Sequence, residues 1–439
     1  PGEGVVVGHP DTGYTRHPEI FPGRIRLDGA YDFLRDDGDP SDELDDSGAF
    51  ASPGHGTSTS SVIASDFGSQ RAGGQPYVTG AAPRATVVPL RVMKSPVLWS
   101  TRNVTQAIDH ATAIGCHVIS MSLGTGLWWE VDALREAIRR AVHQGVIVVA
   151  AAGNYVGPVT WPGRFDEVVC VAACNAERRP WFHSCAGSAV DVTAPGESVW
   201  RASASKDRAG AVKFGVARSD GTSYSTALVA GVAALWLSYH GRDQLIAAFG
   251  RENLCSLFRA VARASCMPMV GLPDWQQHDF GAGIINAHKV LQIDPRSLHA
   301  APRGARAAEL TRKAAVDGTA QFVRELQPDR LAGALGVSES NLAQLLAERG
   351  KEIALRLATD PALRQPVSVA RSGAGGAPEA TAASLNGASR ELRAALAAAR
   401  RPAAAPAAPA AARRHAAPAA PVRNGRRSRG RRIRPRPEA

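Results

Sequence analysis

Short runs of β-branched residues at 4–7, 85–90, 117–120, 145–150 and 167–171 recur along the first part of the chain. Between them, 104–114 and 131–143 place apolar residues at three-to-four spacing, the mark of an amphipathic helix. Strands separated by helix-length segments cannot pair as tight hairpins. They specify a parallel sheet with helices on both faces, an α/β fold. In such sheets ligands bind beyond the carboxyl ends of the strands, so residues that carry chemistry are expected immediately after strands.

Several polar residues stand there. Asp11 follows the first strand in Val7-Gly8-His9-Pro10-Asp11-Thr12-Gly13, and Asn154 follows Val149-Ala150-Ala151-Ala152-Gly153. His55, in Gly54-His55-Gly56-Thr57, opens a predicted helix, and Ser223, in Gly221-Thr222-Ser223, opens the most apolar helix of the chain, 227–237. Glycine before His55 and before Ser223 suits a tight turn into a helix N-terminus, where backbone N–H groups point at a reacting anion. Taken singly, Asp-Thr-Gly reads as a turn, a His between glycines as a loop residue and a Ser at a helix start as an N-cap. Their conjunction, in one order and each at a strand end or helix start, reads as a catalytic constellation.

The conjunction resembles the subtilase family of serine proteases. Asp11-Thr12-Gly13, His55-Gly56-Thr57 and Gly221-Thr222-Ser223 are similar to its three boxes. Ile119-Ser120-Met121-Ser122-Leu123-Gly124 resembles its substrate-binding strand and Ala151-Ala152-Gly153-Asn154 its oxyanion segment. Phe280-Gly281-Ala282-Gly283-Ile284-Ile285-Asn286-Ala287 resembles its closing stretch. The resemblance implies a subtilisin-like three-layer fold with a mostly parallel central sheet over 1–292. It implies a serine endopeptidase acting through an acyl-enzyme, with Asp11, His55 and Ser223 as the triad and Asn154 in the oxyanion hole. Substrate would lie along Ser122, Leu123 and Gly124 by main-chain hydrogen bonds. The pocket for the residue before the cut would be walled by Ser122, Leu123 and Gly124 and by Ala151, Ala152 and Gly153. Its floor would be Thr160, just before a Trp161-Pro162 pair whose peptide bond the resemblance makes cis.

Some positions depart from the family pattern. Tyr224-Ser225-Thr226-Ala227 stands where Met-Ala-x-Pro is common, and Ser58-Thr59 where His-Val is common, so altered packing with intact chemistry is expected. Pro10 lacks an N–H and is expected to end the strand ladder just before Asp11. Thr160 stands where many relatives have Gly, which implies a shallower pocket. An acidic loop over 35–46 offers Asp37, Asp39 and Asp42 as oxygen ligands for structural calcium, with a solvated surface loop as the alternative. The chemistry itself requires no cofactor.

Composition divides the 439-residue chain. Residues 1–300 hold 26 Lys and Arg against 29 Asp and Glu, whereas 301–439 hold 25 against 11 and no Trp or Cys. The whole-chain charge of +11 is therefore a tail property. The expected domains are a peptidase domain over 1–292, a helical C-terminal segment over 293–365 and an Ala/Pro/Arg-rich, disordered basic tail over 366–439. The stretch 330–342 faintly resembles a helix-turn-helix, but residues 338–348 offer no basic side chain to a groove, and a helical hairpin is the preferred reading. Six cysteines without a Cys-x-x-Cys pair argue against zinc and for buried thiols or a few disulfides. No apolar run approaches the ~18 residues of a membrane span.

Polypeptide substrates and a monomer are expected, with weak polyanion contacts through the basic tail. The first residue, Pro1, follows no initiator Met or signal-like segment, which suggests a fragment or processed form. The resemblance favours a secreted or cell-envelope location. Two other classes compete with an active enzyme: a catalytically dead subtilase fold used for binding, disfavoured by the complete triad, and a nucleic-acid-binding protein working through its tail.

Overall fold

A computed structural model describes residues 1–46, 51–67, 77–98, 100–126, 131–155, 157–272 and 279–299, together with 337, 338 and 341. The expected tail beyond residue 299 lies, but for those three residues, outside the described residues, and so does nearly all of the 330–342 segment.

Seven strands form one sheet: β1 (Val6–Asp11), β2 (Tyr31–Asp32), β3 (Thr86–Arg91), β4 (Val118–Met121), β5 (Ile147–Ala151), β6 (Val169–Cys174) and β7 (Val192–Pro195). Their spatial order is β2-β3-β1-β4-β5-β6-β7, and every pairing is parallel. A separate antiparallel hairpin joins β8 (Val199–Lys206) to β9 (Val212–Ser219).

Side-chain alternation distributes the sheet between two cores. Val7, Val87, Val118, Ile147 and Val149 pack with α1 (His55–Ala64), α4 (Thr222–His240) and α6 (Leu254–Ser265). Val88, Leu90, Ile119, Val148 and Ala150 pack with α2 (Arg102–Ala113) and α3 (Asp132–His143). Strands buried on both faces must be apolar throughout, which is why they read as runs. The central helix α4 is apolar on nearly all sides because it is buried along most of its length, as Ala227, Ala230, Ala233, Ala234 and Trp236 attest.

Two expectations need correction. Pro10 does not end the ladder: β1 stays in register with β3 through Pro10↔Leu90 and Asp11↔Arg91. Odd-numbered residues of β1 face β3, as in Thr86 N to Val5 O at 3.0 Å and Val92 N to Asp11 O at 2.9 Å, while Val6 O accepts from His117 N on the β4 side. The missing N–H of Pro10 therefore falls on the β4 side, where the register stops at Gly8↔Ile119. The packed unit also continues past residue 292. Helices α7 (Ala287–Gln292) and α8 (Pro295–His299) follow α6, after α5 (Arg242–Phe249), and Ile293 and Leu298 pack on the α4/α6 core.

The six cysteines are unpaired; all are buried except the half-buried Cys266. Burial raises the thiols of Cys116 and Cys174 to about 12, out of reach of thiolate chemistry near neutrality. Among the described residues, no helix is long and apolar enough to cross a membrane.

Candidate active site

Asp11 is the last residue of β1, and His55 is the first of α1. His55 Nδ1 and Asp11 Oδ1 are 2.7 Å apart, Asp11 fully buried and the His55 side chain 11% exposed. Thr12 N also donates to Asp11 Oδ1 at 2.7 Å. Helix α1 is tied to the end of β1 by Thr12, whose Oγ1 accepts from Gly56 N at 3.0 Å and donates to Asp42 Oδ2 at 2.7 Å. The same Asp42 oxygen accepts from Gly54 N at 2.8 Å. The approach is so close that a Cβ on Gly56 would stand 2.1 Å from Gly13 O, so a side chain there would force the two segments apart.

Burial alone would lower the His55 imidazole, but the charge and hydrogen bond of Asp11 outweigh it and leave the ring above its usual range. For Asp11, burial pushes upward, and His55, by charge and hydrogen bond, pulls the carboxyl down overall. The result is an ionised carboxylate holding an imidazole.

Ser223 is the second residue of α4 and 7% exposed. Its Oγ donates to Ser122 O at 3.4 Å, its sole hydrogen bond among the described residues, and Ser122 Oγ donates to Ser223 O at 2.9 Å. The hydroxyl is thus not hydrogen-bonded to His55. Asn154 Oδ1 accepts from Thr222 N at 2.9 Å and Thr222 Oγ1 at 2.8 Å, which fixes which end of the amide is which. A Cβ built on Gly221, at φ 150°, would lie 3.5 Å from Asn154 Nδ2 and 3.7 Å from Ser223 N. Two N–H donors therefore border one space that glycine leaves open.

Ser122, Leu123 and Gly124 follow β4 and are largely buried, as are Ala151 and Ala152 at the end of β5. The expected free edge at Gly124 is covered: Gly124 N donates to Pro96 O at 3.0 Å, and Leu98 N donates to Gly124 O at 2.9 Å. Thr160 is 8% exposed and lies between the two walls, since a Cβ on Gly124 would meet its Oγ1 at 2.4 Å and one on Gly153 at 2.7 Å. The Trp161–Pro162 bond is cis.

The acidic residues do not converge. Asp37 Oδ1 accepts from Asp39 N at 2.9 Å, Asp39 Oδ1 from Ser41 N at 3.1 Å, and Asp42 braces the start of α1 as described. Among the described residues, no three His, Cys, Asp or Glu side chains are placed to hold a metal ion.

Sequence reading missed several supporting residues. Thr12, Asp42 as a brace and Thr222 all contact the site; Thr12 and Thr222 lie inside the Asp-Thr-Gly and Gly-Thr-Ser boxes and Asp42 in the acidic loop, so their places but not their roles are legible in the sequence. Ser58 and Ser61 on α1 are bonded to β8, through Ser58 Oγ to Ala202 O at 2.9 Å and Ala202 N to Ser61 Oγ at 2.8 Å. His9 lies past the strand expected over 4–7 and carries no role in the sequence pattern, yet it is part of β1 and fully buried beside Asp11.

A sequence model described as Subtilase family matches residues 2–253, and the chain belongs to that family of serine proteases, which are hydrolases acting on polypeptides without a cofactor for the chemistry. It is 30% identical over 250 residues to the major intracellular serine protease of Bacillus subtilis, covering 54% of this chain and 70% of that protein. It is likewise 30% identical over 235 residues to the M-protease of Shouchella clausii, a match spanning 53% of this chain and 54% of the relative. A solved structure of proteases from Pseudoalteromonas arctica superposes with a TM-score of 0.55 at 25% identity, covering 66% of this chain and 90% of that one.

Proposed function

We propose that the chain is an endopeptidase whose Ser223 attacks the scissile carbonyl, with His55 as general base and acid and Asp11 holding the imidazole. The observation that carries this reading is the 2.7 Å Asp11–His55 bond at the carboxyl end of β1 and the start of α1, in a chain whose α4 opens on Ser223. The Ser223 hydroxyl leaves Ser122 O, gives its proton to His55 Nε2 and forms the bond to carbon. The carbonyl oxygen then gains charge between Asn154 Nδ2 and Ser223 N. His55 returns the proton to the departing amine, and water, activated by the same imidazole, hydrolyses the acyl-enzyme.

A fluorophosphonate is expected to label the protein at Ser223, at a rate that depends on neutral His55. Because His55 is raised above 6.5, labelling should slow as pH falls through a value above 6.5. Peptide mapping of the adduct checks the residue, and a label on any other side chain sinks the assignment.

Binding of an extended substrate to Gly124 needs the same N–H and C=O that segment 96–98 now uses, so that segment withdraws when substrate pairs there. Thr160 sets the next limit. Its Oγ1 donates to Ala152 O at 3.2 Å, and its side chain fills the gap between Gly124 and Gly153. The proposed preference is for small residues before the cut. Thr160→Gly is expected to raise kcat/KM for Phe relative to Ala at that position by roughly tenfold or more, the worth of a few buried methylenes. An unchanged ratio in paired peptides would place the pocket elsewhere.

Asp37, Asp39 and Asp42 do not fit a calcium site as they stand, because their carboxylates turn to backbone and side-chain donors of their own loop instead of toward one centre. No step above runs through a metal.

A further inference from the structure

The Asp11–His55 pair rests on a second buried polar layer that takes no part in proton transfer. Side chains two apart on a strand share a face, so His9 stands beside Asp11, one step deeper in β1, and both face α1. On α1, Thr59 lies one turn beyond His55. His9 Nε2 is 3.1 Å from Thr59 Oγ1 and 3.5 Å from Asp11 Oδ2, while its Nδ1 is 3.2 Å from Ser60 Oγ. His9, Asp11, Thr59 and Ser60 are all at 0% exposure.

The surroundings of the ring assign its tautomer: Nε2 faces Thr59 Oγ1 and the carboxylate oxygen Asp11 Oδ2, both able to accept, whereas Nδ1 faces the Ser60 hydroxyl, which can donate, so the ring proton is placed on Nε2. Thr59 Oγ1 donates most closely to His55 O, at 2.9 Å, so its contact to Asp11 Oδ2, at 3.5 Å, is a weak one and its oxygen can accept from the ring. Burial holds the His9 imidazole below its usual range, Asp11 opposing and His55 reinforcing the shift; these two are the titratable groups that act on it. The ring is thus a neutral donor.

Asp11 needs such a donor. Its Oδ1 is taken by His55 Nδ1 and Thr12 N, each at 2.7 Å. Its Oδ2 has only His9 Nε2 and Thr59 Oγ1 for polar neighbours among the described residues, each at 3.5 Å. A buried anionic oxygen with no donor is costly, and a carboxylate anchored at one oxygen can swing about that bond.

We infer that His9 is a positioning residue for the reaction: its Nε2–H anchors Asp11 Oδ2 and so keeps Asp11 Oδ1 on His55 Nδ1. The inference rests on the triad reading above. It has two consequences. Without the anchor, fewer molecules hold His55 in register with Ser223, so kcat falls while KM stays. The carboxylate charge, no longer shared with His9, also acts more fully on His55, so the acid limb of the kcat/KM profile moves to higher pH.

The test compares His9→Met, which keeps bulk but offers no donor, with His9→Gln, whose amide N–H reaches the Nε2 position. Rates are expressed per site titrated with fluorophosphonate, which removes any effect of misfolded chain. The Met variant is expected to lose roughly tenfold or more in kcat with KM unchanged and the acid limb raised, and the Gln variant to recover most of the rate. In the wild type, nitrogen NMR should show His9 as the neutral Nε2–H tautomer from about pH 5 to 8, the range where an ordinary His titrates. A Met variant with wild-type kcat and an unmoved acid limb overturns the inference, as does a His9 that titrates in that range. If the Met chain does not fold, the Gln variant and the wild-type spectrum decide: a Gln variant as slow as His9→Ala, or a bare Nε2, overturns it. Ser223→Ala run in parallel separates the two readings. An active Ser223→Ala would bring down the triad assignment, whereas an inactive one beside an unaffected His9 variant brings down the inference alone.

Discussion

Ser223→Ala is expected to abolish peptide hydrolysis and fluorophosphonate labelling while leaving thermal unfolding close to that of the parent chain. The nucleophile is lost outright, and kcat should fall about a millionfold, the scale established for subtilisin itself and not a value obtained from this geometry. Stability should barely change because the Ser223 hydroxyl makes one long bond, 3.4 Å to Ser122 O. The shorter contact, Ser122 Oγ to Ser223 O at 2.9 Å, uses the backbone and survives the substitution. Alanine is also well tolerated in the first turn of a helix. Circular dichroism melting paired with a peptide assay checks both halves. A folded variant with parental turnover would remove Ser223 from the mechanism.

Much of the architecture was legible because a parallel sheet buried on both faces cannot hide its strands. Residues 147–150 and 169–171 are apolar at every position, and the strands found there, Ile147–Ala151 and Val169–Cys174, differ from the expected spans by a few residues. The β8–β9 hairpin escaped notice for the opposite reason. It is half exposed, and its period-two signal, Trp200, Ala202 and Ala204 against Arg201, Ser203 and Ser205 and then Val212, Phe214 and Val216, rests largely on alanines and is weaker than an unbroken apolar run. Segment 96–98 has no strand signal of its own, and its bonds to Gly124 arise from tertiary proximity alone.

The candidate site was legible to the extent that its residues sit in glycine-flanked boxes. Asp11, His55, Asn154 and Ser223 each lie at a strand end or helix start, where backbone geometry restricts the local sequence. What supports them was harder to read. His9 lies two residues before Asp11 and looks like a polar exception after an apolar strand, while Thr59 and Ser60 lie four and five after His55 inside the Ser/Thr run 57–61, where nothing in the sequence marks them out. Only the packing of α1 on β1 turns the three into one network. Thr160 could be aligned by its neighbour Trp161-Pro162, but whether its side chain would fill the pocket depended on how closely Gly124 and Gly153 approach it.

Asn154→Ala should lower kcat by about a hundredfold or more with KM little changed, the scale known for this family's oxyanion amide rather than one obtained from these distances. The side chain has one task on each end. Oδ1 accepts from Thr222 N and Thr222 Oγ1, at 2.9 and 2.8 Å, and this pair of donors holds the amide so that Nδ2 borders the space beside Gly221. A neutral carbonyl in the bound substrate gains little from that donor, whereas the charged oxygen of the tetrahedral intermediate gains much, so the loss falls on kcat. Ser223 N remains in place and accounts for the residual rate. Thr222→Val separates orientation from donation: it removes the hydroxyl but keeps the backbone N–H on Asn154 Oδ1, and should cost less than Asn154→Ala. Steady-state kinetics on a single peptide, with each variant titrated for active sites, gives the comparison. A rise in KM at unchanged kcat would make Asn154 a substrate-binding residue, and a Thr222→Val loss equal to that of Asn154→Ala would mean that the amide contributes through its anchoring and not through Nδ2.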